Sequence, residues 1–129
     1  MKPVSPIRTP RLLVPYSRLR PEEKMLHAAA ERLSIPAHFS DVSELAWPDG
    51  FDAAPGDVAI CRCVGQTHNL ALARLLESRG VKTINPSEVM TLCGDKIATA
   101  ACLEAAGIPQ PRYRVAASPE SAVEAAESL

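Results

Sequence analysis

Apolar runs along the chain alternate with polar loops in an order that predicts repeated strand, loop and helix. Leu12-Leu13-Val14 suits a buried strand, and Pro15, which has no N–H for a ladder, is expected to end or bulge it. Tyr16 to Arg20 reads as a loop. Pro21 then fits the first helical position, Glu22 and Glu23 favour the positive end of the helix dipole, and Met25, Leu26, Ala29 and Leu33 supply an apolar face. Ser34-Ile35-Pro36 ends that helix and Ala37 to Ser40 reads as a second short strand. Asp41 to Gly56 is loop-like, with a helical turn near Val42 to Ala46 and Trp47 as an apolar anchor beside the turn Pro48-Asp49-Gly50.

The pattern resumes with a buried strand over Asp57 to Cys61, a polar exit loop over Arg62 to Thr67, and a helix from about His68 to Ser78 that buries Leu70, Leu72, Ala73, Leu75 and Leu76. Gly80-Val81 stops the helix, and Val81 to Ile84 is another strand, so Asp57 to Ile84 forms a βαβ unit with a right-handed crossover. Asp95 caps a further helix carrying Ile97, Ala98, Ala101, Cys102 and Ala105, which Gly107-Ile108 ends and Pro109 and Pro111 keep ended. Tyr113-Arg114-Val115 suggests a strand. Ser118-Pro119-Glu120 opens a last helix that has no glycine stop, so the sequence is expected to break off as a second domain begins.

These elements predict an α/β fold: an open parallel sheet with helices on both faces, Rossmann-like, over residues 11–93, preceded by an irregular extension 1–10 and followed by a helical segment 94–129. With 129 residues and 47% hydrophobic content the chain can bury one core of ordinary domain size. A net charge of -1 and 4% aromatic residues argue against nucleic acid as a partner, and no run approaches the ~18 apolar residues of a membrane span. The cytoplasm is the expected compartment. Cys61, Cys63, Cys93 and Cys102 lack the CxxC spacing of a zinc site and are expected to be reduced, mostly buried thiols, with Cys61 and Cys63 on one strand face. No metal site is expected.

Ligands of open parallel sheets bind outside the carboxyl ends of the strands. Polar candidates gather at that edge: Ser17, Arg18 and Arg20 after the first strand, Arg62 and Gln66 after the third, and Asn85 after the fourth. Lys96 is a further candidate. A cation in the first turn of a helix opposes the macrodipole by a few tenths of a kcal/mol, yet free N–H groups with an ammonium beside them suit a phosphate. On local grounds alone an idle lysine offset by Asp95 is the simpler reading.

The combination RLRPEEKML, CRCVGQ, TINPSEVMTLCGDKIAT and LEAAGIPQP resembles the N-terminal part of RimK-type ATP-grasp ligases, and within them the LysX group, the 2-aminoadipate or glutamate ligases that modify the C-terminal glutamate of the carrier protein LysW in lysine and arginine biosynthesis. The resemblance spans Leu12 to Leu129. It implies a pre-ATP-grasp domain over 11–93 and, over 94–129, a linker helix and the start of an ATP-grasp domain. It implies ATP and Mg2+ as cofactors, an acyl phosphate intermediate, and an amino acid and a LysW-like carrier as partners; a homo-oligomer is allowed. Lys96 matches a lysine that reaches the nucleotide phosphates, while Arg18, Arg20, Arg62, Gln66 and Asn85 match cleft-facing positions. Ser17 stands where an acidic residue is usual, and Gly65 where serine is common. The family's magnesium ligands and other nucleotide lysines are expected beyond Leu129, so residues 1–129 alone are expected to be inactive and to expose an apolar surface. Two alternatives are a RimK-like ligase adding glutamate to a protein tail or a cofactor, and a non-catalytic flavodoxin-like module. A receiver domain would want an acidic cluster near the first strand, which Ser17 and its arginines do not provide.

Overall fold

The computed structural model describes residues 8–46, 49 and 51–129. The anchor expected at Trp47, residues Pro48 and Gly50 of the expected turn and residues 1–7 of the extension lie outside the described residues; Asp49 is in a turn. The chain divides into two compact units between Met90 and Thr91.

The first unit holds β1 (Leu12–Tyr16), α1 (Pro21–Arg32), β2 (Ala37–Asp41), a 3-10 turn (Val42–Glu44), β3 (Val58–Ile60), α2 (Gln66–Ser78) and β4 (Lys82–Ile84). All pairings are parallel and the strand order is β2-β1-β3-β4. From β1 the chain moves outward through α1 to β2; from β3 it moves the opposite way through α2 to β4. Right-handed crossovers in opposite directions put α1 and α2 on opposite faces of the sheet. The point where the order reverses lies between β1 and β3.

Side-chain alternation divides the core accordingly. Leu13, Ala59, Cys61, Cys63 and Val81 pack with Leu72, Ala73 and Leu76 of α2 and with Phe51. Val14 and Ala30 are buried outside that cluster, on the α1 face. The buried side of α1 runs through Glu23 and Ala30, with Leu26 and Ala29 half-buried. Met25 and Leu33, expected on the apolar face, are 71% and 63% exposed. The stripe that sequence periodicity selects is therefore rotated from the one that meets the sheet, because a carboxylate occupies part of the inner face.

Pro15 does not end β1. The strand continues to Tyr16, with Pro15 opposite Ser40 of β2. On the β3 side the register continues from Leu13↔Ala59 to an isolated bridge Tyr16↔Arg62, and the gap falls at Pro15. The Pro15 carbonyl accepts from the Arg62 N–H at 2.8 Å, so the N–H that Pro15 lacks would have pointed to that same neighbour. The proline thus thins the β1–β3 ladder where the two strands leave the sheet.

Helix ends follow local chemistry. Ile35 N–H donates to Ala30 C=O at 2.9 Å across Ser34, whose φ is 53°, and Val81 N–H donates to Leu76 C=O at 3.1 Å across Gly80, whose φ is 78°. Both are left-handed terminations that satisfy carbonyls of the last turn. At the amino edge of the sheet, buried Asp57 accepts from the N–H groups of Arg11 at 3.0 Å and Ala54 at 3.1 Å and pairs with Arg8. Burial alone would raise its pKa, but these donors and the guanidinium groups hold it below the ordinary value.

Described by itself, the second unit carries α4 (Lys96–Ala105) and α5 (Pro119–Glu127); α3 (Ser87–Gly94) spans the division. Asp95 caps α4, its Oδ1 accepting from the N–H groups of Ile97 and Ala98 at 2.9 Å. Gly107, with φ 66°, ends α4, and Ile108 N–H donates to Leu103 C=O at 2.9 Å. Ser118 caps α5 as expected. Tyr113 to Val115 is not a strand. The segment has strand-forming residues but pairs with no strand among the described residues, and extended backbone becomes a strand only through a ladder. Cys93 and Cys102 are exposed, contrary to the expectation of mostly buried thiols, because α3 and α4 bury no residue within this chain.

Replacing Gly80 by alanine should destabilise the first unit by about 1–2 kcal/mol, since the left-handed φ disfavours any side chain and the new Cβ would lie 3.2 Å from Pro55. Urea unfolding of the full chain checks this, and an unchanged midpoint would contradict the assigned backbone geometry.

Candidate functional site

The carboxyl edge of the sheet is built around one buried acid. Arg20 precedes α1, and Glu23 occupies the third position of that helix, from which its Oε2 reaches back to the Arg20 N–H at 3.0 Å. The Arg20 guanidinium closes on the same carboxylate, Nη2 to Oε1 at 3.0 Å and Nε to Oε2 at 3.3 Å. From the exit of β3, Arg62 Nε donates to Oε1 at 2.8 Å. Glu23 is 0% exposed, whereas the side chains of Arg20 and Arg62 keep 35% and 31% of their surface in solvent. The Arg20 hydrogen bonds, and next those of Arg62 and the Arg20 backbone, outweigh burial and hold the Glu23 carboxyl at about 2. It is therefore ionised at neutral pH and carries two guanidinium groups.

This cluster lies at the switch point between β1 and β3, the crevice where such sheets bind ligands. Ser17 Oγ accepts from Val64 N–H at 2.9 Å, and Asn69 Oδ1 of α2 accepts from Cys63 N–H at 3.0 Å, so the β3 exit is tied to both β1 and α2. Two grooves flank the cluster. One, of about 350 Å3, is lined by Tyr16, Leu19, Glu23, Lys24, His27 and Phe39. The other, of about 440 Å3, runs along α1 over Met25, Leu26 and Ala29 and ends on Arg62, with Glu22 at its rim.

The other candidates from the sequence have different surroundings. Gln66 opens α2, but its Nε2 donates to the Met90 carbonyl at 3.0 Å, which fastens the amide to α3. Asn85 is exposed beyond the end of β4, and Arg18 is exposed in the β1 exit loop. Glu77 orders the segment after Asn85: its carboxylate accepts from Ser87 N–H at 2.8 Å and from the hydroxyls of Thr83 and Ser87, donors that overcome its burial and keep its pKa low. Lys96, in the second unit, is the exposed first residue of α4 beside the capping Asp95. Among the described residues no group of three or more His, Cys, Asp or Glu could hold a metal ion, and no helix is long and apolar enough to cross a membrane.

Sequence reasoning missed the role of Glu23, reading it only as an acid favoured by the helix dipole. The available signal was its place three residues after the helix cap, the capping-box position. Its second partner, 39 residues away, has no local signal.

Residues 12–92 match the model of the LysX preATP-grasp domain. The chain belongs to that family. It is 39% identical over 111 residues to the glutamate–LysW ligase ArgX of Sulfolobus acidocaldarius, covering 84% of this chain and 39% of that protein. To ArgX of Sulfurisphaera tokodaii it is 38% identical over 119 residues, covering 91% of this chain and 42% of the relative. The alpha-aminoadipate–LysW ligase LysX of the same organism is 32% identical over 118 residues, covering 88% and 41%. The chain thus spans about two fifths of the length of these curated relatives. A RimK domain ATP-grasp protein of Sphaerobacter thermophilus superposes with a TM-score of 0.74 at 28% identity, over 92% of this chain and 45% of that one. The parallel α/β fold expected from the sequence is the fold observed, and the relatives are ATP-grasp family ligases.

Because the folded Glu23 pKa of about 2 lies below its unfolded value, near about 4.3, this group stabilises the fold fully above the unfolded value and loses that contribution as pH falls toward 2. The stability advantage of the natural chain over Glu23→Gln should therefore shrink between about pH 5 and pH 2. An advantage independent of pH over this range, by chemical unfolding, would contradict the ionised cluster.

Proposed function

We propose that this chain forms the N-terminal, pre-ATP-grasp part of an ATP-dependent carboxylate-amine ligase that joins glutamate or 2-aminoadipate to the C-terminal glutamate of a LysW-type carrier through an acyl phosphate. The observation that carries this reading is the family match over residues 12–92, with relatives that are LysW ligases. Greater identity to two glutamate–LysW ligases than to the aminoadipate ligase favours glutamate as the amino acid. On this reading residues 94–129 are a linker helix and the opening of the ATP-grasp domain.

The chemistry divides between the parts of such an enzyme. ATP supplies the phosphoryl group that activates a carboxylate, magnesium neutralises charge on that group, and the amine then displaces phosphate. The described residues fit a nucleotide contact at Lys96, an exposed ammonium at the start of a ten-residue helix, and they offer no magnesium cluster. On this reading the role of this chain is to bind and orient: Lys96 toward nucleotide phosphates, Arg20 and Arg62 toward the cleft from their shared carboxylate, and Arg18, Gln66 and Asn85 from strand exits of the same sheet edge. On this reading residues 1–129 by themselves are inactive, and the full enzyme works in the cytoplasm.

The full-length protein, given ATP, magnesium, glutamate and a small acidic carrier ending in glutamate, should add one glutamate to the carrier, read by intact mass. A carrier of unchanged mass with glutamate and with 2-aminoadipate would overturn the reading. In the same enzyme Lys96→Ala should raise KM for ATP about ten- to a hundredfold, as expected for losing a charged contact; unchanged ATP affinity and turnover would remove Lys96 from the nucleotide site.

A further inference from the structure

The arginine cluster is unbalanced in charge and in hydrogen bonds. Two guanidinium groups share one carboxylate, so the cluster carries one positive charge beyond its buried counter-ion. Glu22 at the groove rim is exposed, where solvent screens its contribution. Arg20 uses its Nε, Nη2 and backbone N–H on Glu23, whereas Arg62 uses Nε alone, and among the described residues its two terminal nitrogens have no protein partner. Its backbone is also fixed, through the Pro15 carbonyl and the Tyr16 bridge. A guanidinium held by Nε still presents a planar pair of Nη donors whose spacing matches the two oxygens of a carboxylate.

We propose that Glu23 is a positioning residue for substrate: its buried carboxylate orients Arg62 so that the Nη pair binds, end-on, a carboxylate of the amino acid or of the carrier terminus at the β1–β3 switch point. This rests on the ligase reading for the identity of the ligand, and on the cluster geometry for the fork itself. Preorganisation is what Glu23 adds. An arginine loose at the edge of a sheet loses side-chain entropy on binding, whereas one already clamped does not. The apolar groove over Met25, Leu26 and Ala29 that ends on Arg62 then receives the aliphatic part of the same ligand.

The test uses the full-length enzyme and two variants, Glu23→Gln and Arg62→Lys. Arg62→Lys keeps the charge and the pairing with Glu23 but removes the fork, so it remains informative where Glu23→Gln folds poorly. Both are expected to raise KM for one carboxylate substrate about tenfold, with kcat and KM for ATP within about twofold. A rise for glutamate assigns the fork to the amino acid, and a rise for the carrier assigns it to the carrier terminus. Added guanidinium ion should partly restore an Arg62→Ala enzyme. A fall in kcat with every KM unchanged, or a rise confined to ATP, overturns the inference. Calorimetric titration with glutamate and with a peptide ending in glutamate reads the fork without turnover: binding of one of them about tenfold weaker in Arg62→Lys supports it, and equal or undetectable binding of both overturns it. Failure of the natural enzyme to ligate overturns the ligase reading alone.

Discussion

A parallel strand can be joined to its neighbour only by a crossover that returns to the starting edge, and this constraint organises the first unit. Every strand of the β2-β1-β3-β4 sheet leaves at the same edge, so four exit segments far apart in sequence meet there. Outward winding through α1 and α2 in opposite directions from the centre opens a crevice between the exits of β1 and β3. What fills the crevice is electrostatic. Glu23 draws a guanidinium from each of the two exits onto one buried carboxylate, so the same contact that closes the β1–β3 gap also presents cations to it.

The two ends of the sheet use buried acids differently. At the amino edge Asp57 receives backbone N–H groups and the guanidinium groups of Arg8 and Arg11, an arrangement that fastens the incoming chain and the loop at Ala54. At the carboxyl edge buried Glu23 organises the arginines, while half-buried Glu77 fixes the start of α3 through Ser87. Breaking a buried pair exposes an uncompensated charge, at a cost of about 3–5 kcal/mol when both partners are buried and less where, as here, the arginines reach water. Such acids are consequently determinants of loop conformation as much as of stability.

Element order and helix ends were legible in the sequence because their causes are local. Pro21, Gly80-Val81, Asp95, Gly107-Ile108 and Ser118-Pro119 each act within a few residues, and each marks the boundary it was read to mark. Where the outcome depends on distant packing, local reading failed. Pro15 sits inside a central strand because its neighbours tolerate one missing bond, Met25 and Leu33 face outward because Glu23 faces in, and Tyr113 to Val115 lacks a strand to pair with. Arg20 and Arg62 were read as edge residues from their places after strands, but the acid that joins them was not read, since its partnership with Arg62 is created only by the fold.

Arg62 is flanked by Cys61 and Cys63, and alternation along the strand sends the guanidinium to one side and both thiols to the other. Burial pushes the Cys61 thiol up to about 12, and burial raises Cys63 as well. The thiolate is the nucleophilic form, so at neutral pH these sulfurs are both shielded and chemically quiet. At the exit of β3 a guanidinium therefore faces the carboxyl-edge crevice, while the sulfurs one residue away on either side lie in the core packed against α2. The alternation of side chains thereby keeps two thiols, within one residue of a half-exposed arginine, out of reach of whatever the crevice admits.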